Sequence, residues 1–155
     1  MKLQEFNNII AKAQTICAES GTRLTDKRKR ILEILLRSQS PLSAYEVADS
    51  YNKTFTSNMP AMSVYRILDF LEAELLVHKL CSTNKYVACS HIACDHNHHI
   101  SQFLICGQCQ NVKEIATSKT VVSELNMQVD SAGYKLMNSQ LELRGLCNRC
   151  LETAS

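Results

Sequence analysis

No apolar stretch in the 155 residues approaches the roughly 18 that a bilayer-spanning helix needs. The N-terminal region also lacks the apolar segment of a secretory signal. Both absences predict a soluble chain in a reducing cytoplasm, where eight cysteines and five histidines serve metal chemistry rather than disulfides. A strong charge excess is missing as well: the net charge is +2, too small by itself to argue for a nucleic-acid partner. Nowhere does His-x-Glu precede Pro-Cys-x-x-Cys, so a zinc deaminase is excluded.

What is present is a repeated thiol spacing, Cys106-Gly-Gln-Cys109 and Cys147-Asn-Arg-Cys150. Four thiolates in two such pairs can close a tetrahedral zinc site with Zn–S contacts of about 2.3 Å. The stretch between the pairs is longer than the roughly 15–20 residues of a simple zinc ribbon, so it must hold structure of its own. A thioredoxin-like redox role for Cys106 and Cys109 would need a strand-helix-strand context. The flanking Phe103-Leu-Ile and Val112-Lys-Glu-Ile read instead as hairpin arms.

Upstream, helical spacing of Leu3, Phe6, Ile10, Ala13 and Cys17 predicts a first helix that stops at Gly21. Thr25 can cap a second helix with Ile31, Leu32, Ile34 and Leu35 on its apolar side. Ser43-Ala-Tyr-Glu46 is a capping box that starts a third helix at Ala44. A fourth begins near Pro60 and carries Val64, Ile67, Leu68, Leu71 and Leu75 as one buried stripe, with Met62, Tyr65, Arg66 and Asp69 on the other side. Val77-His-Lys-Leu and Lys85-Tyr-Val-Ala, joined by a Ser82-Thr-Asn turn, make a two-stranded hairpin. Helices followed by a hairpin form a winged helix-turn-helix pattern, whose fourth helix would enter a DNA major groove.

On that reading Arg66 reaches base edges, Tyr65 meets a base, sugar or phosphate, and Ser63 holds phosphate near the helix start. The cluster Arg23, Lys27, Arg28, Lys29 and Arg30 can bind phosphates, although a solvated helix face would look the same. The second half reads as strand, thiol knuckle, strand, a helix marked by Val121, Val122, Leu125 and Val129, and a long final strand from Tyr134 to Leu143. A small sheet with one helix leaves edges and a face uncovered, which a symmetric dimer would cover.

His78, Cys89, His99 and Glu114 are all zinc-ligand types, and together they would leave a bound Zn²⁺ with no net charge. His91, Cys94, Asp95, His96 and His98 crowd the same loop, so spacing alone does not choose among them.

Several stretches carry a wider likeness: Arg23-Leu-Thr, Ser43-Ala-Tyr-Glu, Ser63-Val-Tyr-Arg-Ile-Leu-Asp-Phe-Leu, Ser82-Thr-Asn-Lys-Tyr-Val-Ala-Cys89, Phe103-Leu-Ile-Cys-Gly-Gln-Cys and Leu143-Arg-Gly-Leu-Cys-Asn-Arg-Cys150. Through them nearly the whole chain resembles the ferric uptake regulator family, and within it the zinc-sensing members. The resemblance implies an α+β chain with a winged helix-turn-helix DNA-binding domain at residues 1–89 and a metal-ligand-rich linker at 90–99. A small α/β dimerisation domain stapled by a four-cysteine zinc site would follow at 100–155.

It implies no enzyme but a homodimeric, zinc-responsive transcriptional repressor, with double-stranded operator DNA as partner and zinc-uptake genes as targets. Two zinc ions per chain would be held, one structural on Cys106, Cys109, Cys147 and Cys150 and one sensing on His78, Cys89, His99 and Glu114. His91, Cys94, His96 and His98 are left as auxiliary donors. The family's iron and peroxide sensors usually place a His before the third helix, where this chain has Ser38-Gln-Ser-Pro41, and a tight His-rich run directly before the first thiol pair, where this chain has Ile100 to Ile105. Both departures favour zinc over iron. An iron- or peroxide-responsive regulator of the same family, or a thiol redox protein using Cys106 and Cys109, are the alternatives.

Overall fold

The computed structural model describes residues 2–94, 101–137 and 140–154, in two units, Met1–Asp95 and His96–Ser155. The first unit holds α1 (Leu3–Glu19), α2 (Asp26–Arg37), α3 (Ala44–Phe55), α4 (Ala61–Ala73), β1 (Val77–Leu80) and β2 (Lys85–Ala88). The second holds β3 (Ser101–Cys106), β4 (Val112–Ala116), α5 (Lys119–Ser131), β5 (Leu141–Gly145) and α6 (Asn148–Thr153).

One apolar stripe from each of the four helices builds the core of the first unit. Phe6, Ile10, Ala13 and Cys17 of α1 meet Ile31, Leu32 and Leu35 of α2, Val47 and Tyr51 of α3, and Val64, Leu68 and Leu71 of α4. The predicted stripes overreach at two ends. Leu3, the first residue of α1, is 75% exposed because it lies beyond the edge of that core. Leu75 is 57% exposed because α4 has already stopped: its backbone takes φ 59°, and Leu76 turns inward in its place.

That stop is a Schellman motif, with Leu76 N–H on the Leu71 carbonyl at 2.9 Å and Leu75 N–H on Glu72 at 3.0 Å. The same pairing closes α1 at Gly21, where φ is 77°, with Thr22 N–H on Cys17 at 2.8 Å.

Helix starts follow the sequence less evenly. Ser43 and Glu46 form the predicted capping box, with Ser43 N–H on Glu46 Oε2 at 2.6 Å and Glu46 N–H on Ser43 Oγ at 3.2 Å. Thr25 stands at the N-cap of α2, but its hydroxyl makes no cap bond. Its carbonyl alone serves the helix, accepting Lys29 N–H at 2.8 Å.

The hairpin pairs Val77 with Ala88 and Leu80 with Lys85. Tyr86 also exchanges two backbone bonds with Leu42, at 3.1 and 2.7 Å, which ties the wing to the residue just ahead of α3. Four helices and this anchored hairpin make the first unit a winged helix-turn-helix.

In the second unit β3 is central, antiparallel to β4 and parallel to β5. Phe103 and Ile105 are buried, while Leu104 between them is 38% exposed, as strand alternation requires. On that outer face Leu104 lies beside Leu143. α5 buries no residue; its Val122, Leu125 and Val129 are half-buried along one stripe.

The long final strand predicted from Tyr134 is corrected. The strand begins only at Leu141, and Tyr134, Leu136 and Met137 are exposed outside it. Residues 138 and 139 lie outside the described set. Among the described residues β5 pairs with β3 only from Leu141, opposite Gln102, to Gly145, opposite Cys106.

Candidate metal centres and nucleic-acid face

Cys106 is the last residue of β3, and the following turn brings Cys109 back beside it. Gln110, at φ 62°, donates to the Cys106 carbonyl at 3.0 Å and closes the knuckle. Cys147 sits at the N-cap of α6 and Cys150 lies in its first turn. Gly107 N–H reaches the Gly145 carbonyl at 2.9 Å and Cys147 N–H the Cys106 sulfur at 3.4 Å, so the two knuckles are laced by backbone bonds. α6 has no apolar periodicity to announce it.

All four sulfurs lie within 4.8 Å of one another. The Cys109 and Cys147 sulfurs are 3.7 Å apart, close to the roughly 3.8 Å edge of a tetrahedron with 2.3 Å metal–sulfur bonds. No cysteine is in a disulfide.

Proton affinity is spread unevenly over this set. Backbone N–H groups of Cys109, Cys147 and Gln108 lower the Cys106 thiol to about 6, and that of Cys150 lowers Cys147. Cys150 is pushed up to about 12, first by its bond to Cys147 and then by burial. A divalent soft-ligand cation is what lets all four ionise together, and the donor set and spacing suit zinc.

The other predicted donors divide between the units. In the first, His78 on β1 is 9% exposed and Cys89 after β2 is 3% exposed, with their ligand atoms within 4.8 Å of each other. Cys89 is held by its N–H on the Leu76 carbonyl at 2.9 Å, and its sulfur accepts His91 N–H at 3.5 Å. Cys94 is exposed and donates its N–H to the His91 carbonyl at 3.0 Å. In the second unit Glu114 on β4 is half-buried and accepts Ser101 Oγ at 2.8 Å. His96, His98 and His99 lie outside the described residues.

Among the proposed DNA contacts, Arg66 is exposed on α4, and no carboxylate among the described residues pairs with it. Ser63 and Tyr65 are half-buried in the first turns of the same helix. Arg23 and Lys27 are exposed around the start of α2. Arg28 is more constrained: its guanidinium lies 3.6 Å over the Phe70 ring and donates to the Arg23 carbonyl at 2.7 Å. Tyr45 joins this face without a sequence signal of its own. It is 68% exposed, and its ring meets Tyr65 edge to face at 6.2 Å.

The profile of the ferric uptake regulator family matches residues 19–144. The chain is 35% identical over 152 residues to the zinc uptake regulation protein of Escherichia coli strain K12, covering 98% of this chain and 86% of that one. To the ferric uptake regulation protein of Helicobacter pylori strain ATCC 700392 it is 26% identical, covering 98% and 97%. Among solved structures, holo XcZur matches with a TM-score of 0.80 at 34% identity, over 94% of this chain and 99% of that one. A zinc uptake regulator complexed with zinc and DNA matches with a TM-score of 0.84 at 32% identity, over 99% and 98%.

Proposed function

Because this chain belongs to the ferric uptake regulator family, we propose that it is a zinc-responsive, DNA-binding transcriptional repressor of zinc-uptake genes. It acts in the cytoplasm as a homodimer and carries no catalytic activity. Residues 1–89 bind operator DNA, 90–99 form a ligand-rich linker, and 100–155 dimerise. The observation that carries the reading is one chain holding both a four-thiol cluster of tetrahedral spacing and a buried His78–Cys89 pair on the wing. Its similarity to a zinc uptake regulation protein and to a zinc- and DNA-bound regulator structure supports the metal and the ligand.

Cys106, Cys109, Cys147 and Cys150 hold the structural zinc, and His78 and Cys89 join His99 and Glu114 in the sensing site. Bound zinc supplies positive charge and fixed coordination geometry at each set. His78 and Cys89 sit on the wing that follows α4, so any restraint on them restrains the reading helix. A dimer whose two α4 helices keep operator spacing binds without first searching orientations, and apparent affinity rises with the competent fraction. Arg66 reads a base edge, Tyr65 and Ser63 contact base or backbone, and Arg23, Lys27 and Arg28 neutralise phosphates.

The test is DNA binding by the purified protein across buffered free zinc, with zinc counted per chain at every point. Operator binding is expected to appear as occupancy rises from about one to about two ions, one for each four-ligand set. DNA binding indifferent to the second ion would overturn the sensing role.

A further inference from the structure

We propose that Asn52 is a positioning residue for the reading helix: its side-chain amide, bonded on both edges to the backbone of Met59, sets where the first turn of α4 is presented to DNA. This rests on α4 being the helix that reads DNA. Asn52 Nδ2 donates to the Met59 carbonyl at 3.0 Å, and Met59 N–H donates to Asn52 Oδ1 at 2.7 Å. Both bonds are partly buried. An amide used this way copies one rung of an antiparallel ladder, and only a group with a donor and an acceptor side by side can make both bonds.

The main-chain carbonyl of Asn52 works at the same place. It accepts the N–H of Thr56, the last cap of α3, and that of Ser57 at 3.2 Å. Thr56 itself is at φ 47°, ψ 51°, a left-handed conformation that a β-branched residue resists. The connection from α3 to α4 is therefore held away from its own preference, and Asn52 supplies the bonds that hold it.

The consequence falls on α4. Its N-cap is Pro60, whose side chain makes no cap bond. Pro60 offers only its carbonyl, to Ser63 N–H at 3.0 Å and Val64 N–H at 3.3 Å. The helix is anchored by Val64, Leu68 and Leu71 in the core. Val64 closes the first turn, and ahead of it the buried side chain nearest the helix start is Met59, which is 8% exposed and adjoins Pro60. Through Met59 the Asn52 amide fixes the backbone that leads into Pro60 and the first turn, just ahead of Ser63, Tyr65 and Arg66.

The experiment compares wild type, Asn52→Ala, Asn52→Asp and Arg66→Ala as zinc-loaded dimers. The probes are one duplex recovered by the wild type from a randomised pool and its scrambled counterpart. Asn52→Asp has nearly the native shape and keeps the bond from Met59 N–H, but sets a second acceptor against the Met59 carbonyl, so it tests the clamp without emptying the site.

Losing one or both bonds is expected to lower affinity for the selected duplex about tenfold, equivalent to about 1.4 kcal/mol. Affinity for the scrambled duplex should stay within about twofold, and exchange of the Ser63 amide with solvent should quicken. Wild-type discrimination in both Asn52 variants, or equal loss on both duplexes, would overturn the positioning role. Unchanged discrimination in Arg66→Ala would instead overturn the reading of α4 on which it rests.

Discussion

Glu46 joins two elements with one carboxylate. It accepts the Ser43 N–H at the start of α3 and lies 3.4 Å from Lys85 Nζ on the wing. The Ser43 backbone N–H above all, with lesser help from the Ser43 hydroxyl and the Lys85 charge, holds the carboxyl below its ordinary 4.5 against the opposing effect of burial. A depressed folded value means this stability is whole above the ordinary carboxyl range and disappears as pH falls through the folded value. The thermal advantage of wild type over Glu46→Gln should therefore hold from neutral pH down to about 4.5 and shrink below it. An advantage that stays constant in acid would refute the assignment.

The cysteines divide at the same scale. Cys106→Ser should abolish the first zinc equivalent and with it folding of the second unit, because metal binding there is folding free energy. Cys89→Ser should remain folded and dimeric and lose only zinc-dependent DNA binding. Circular dichroism, sedimentation and zinc counts together distinguish these outcomes; an unfolded Cys89→Ser would merge the two roles.

Elements differ in how far the sequence determines them locally. The capping box at Ser43, the wing arms bounded by Ser82-Thr-Asn, and the Gly21 stop were legible because each depends on residues a few positions apart. Leu75 was not: its place in the i, i+4 stripe is correct, but the Schellman turn at the end of α4 swings it out and brings Leu76 in. Tyr134 to Met137 alternate like a strand yet have no neighbour to pair with among the described residues. The thiol knuckles were legible from spacing alone, whereas Tyr45 and Asn52 owe their roles to contacts that spacing does not encode.

Leu75 also gives an element-level test. An L-residue in the left-handed region costs about 1–2 kcal/mol, and only part of that is offset by burial of a side chain already 57% exposed. Leu75→Gly should gain about 0.5–1 kcal/mol, raising the melting temperature by about 1–4 °C for a chain of this size. A lower melting point by calorimetry would mean that the Leu75 side chain matters more than its backbone.

For the whole molecule, the exposed pair Leu104 and Leu143, 38% and 48% accessible on one sheet face, is the natural ground for a second copy. Leu143→Glu would place a carboxylate in that contact and should weaken self-association at least about tenfold while leaving the zinc count per chain unchanged. Sedimentation equilibrium reads the first and metal analysis the second; a dimer of undiminished strength would move the contact elsewhere.

The four-thiol cluster also imposes an order in time. Cys109 and Cys147 are 38 positions apart, and β5, the partner that completes the sheet beside β3, is made only just before the second knuckle. While the chain is being synthesised, Cys106 and Cys109 emerge as a bare dithiol that must wait for residues 147 and 150. A ribosome that stalls between the knuckles leaves a product with half a site and two of its three strands. A chain that ends before Cys147 therefore cannot complete the four-sulfur set, however much metal is at hand.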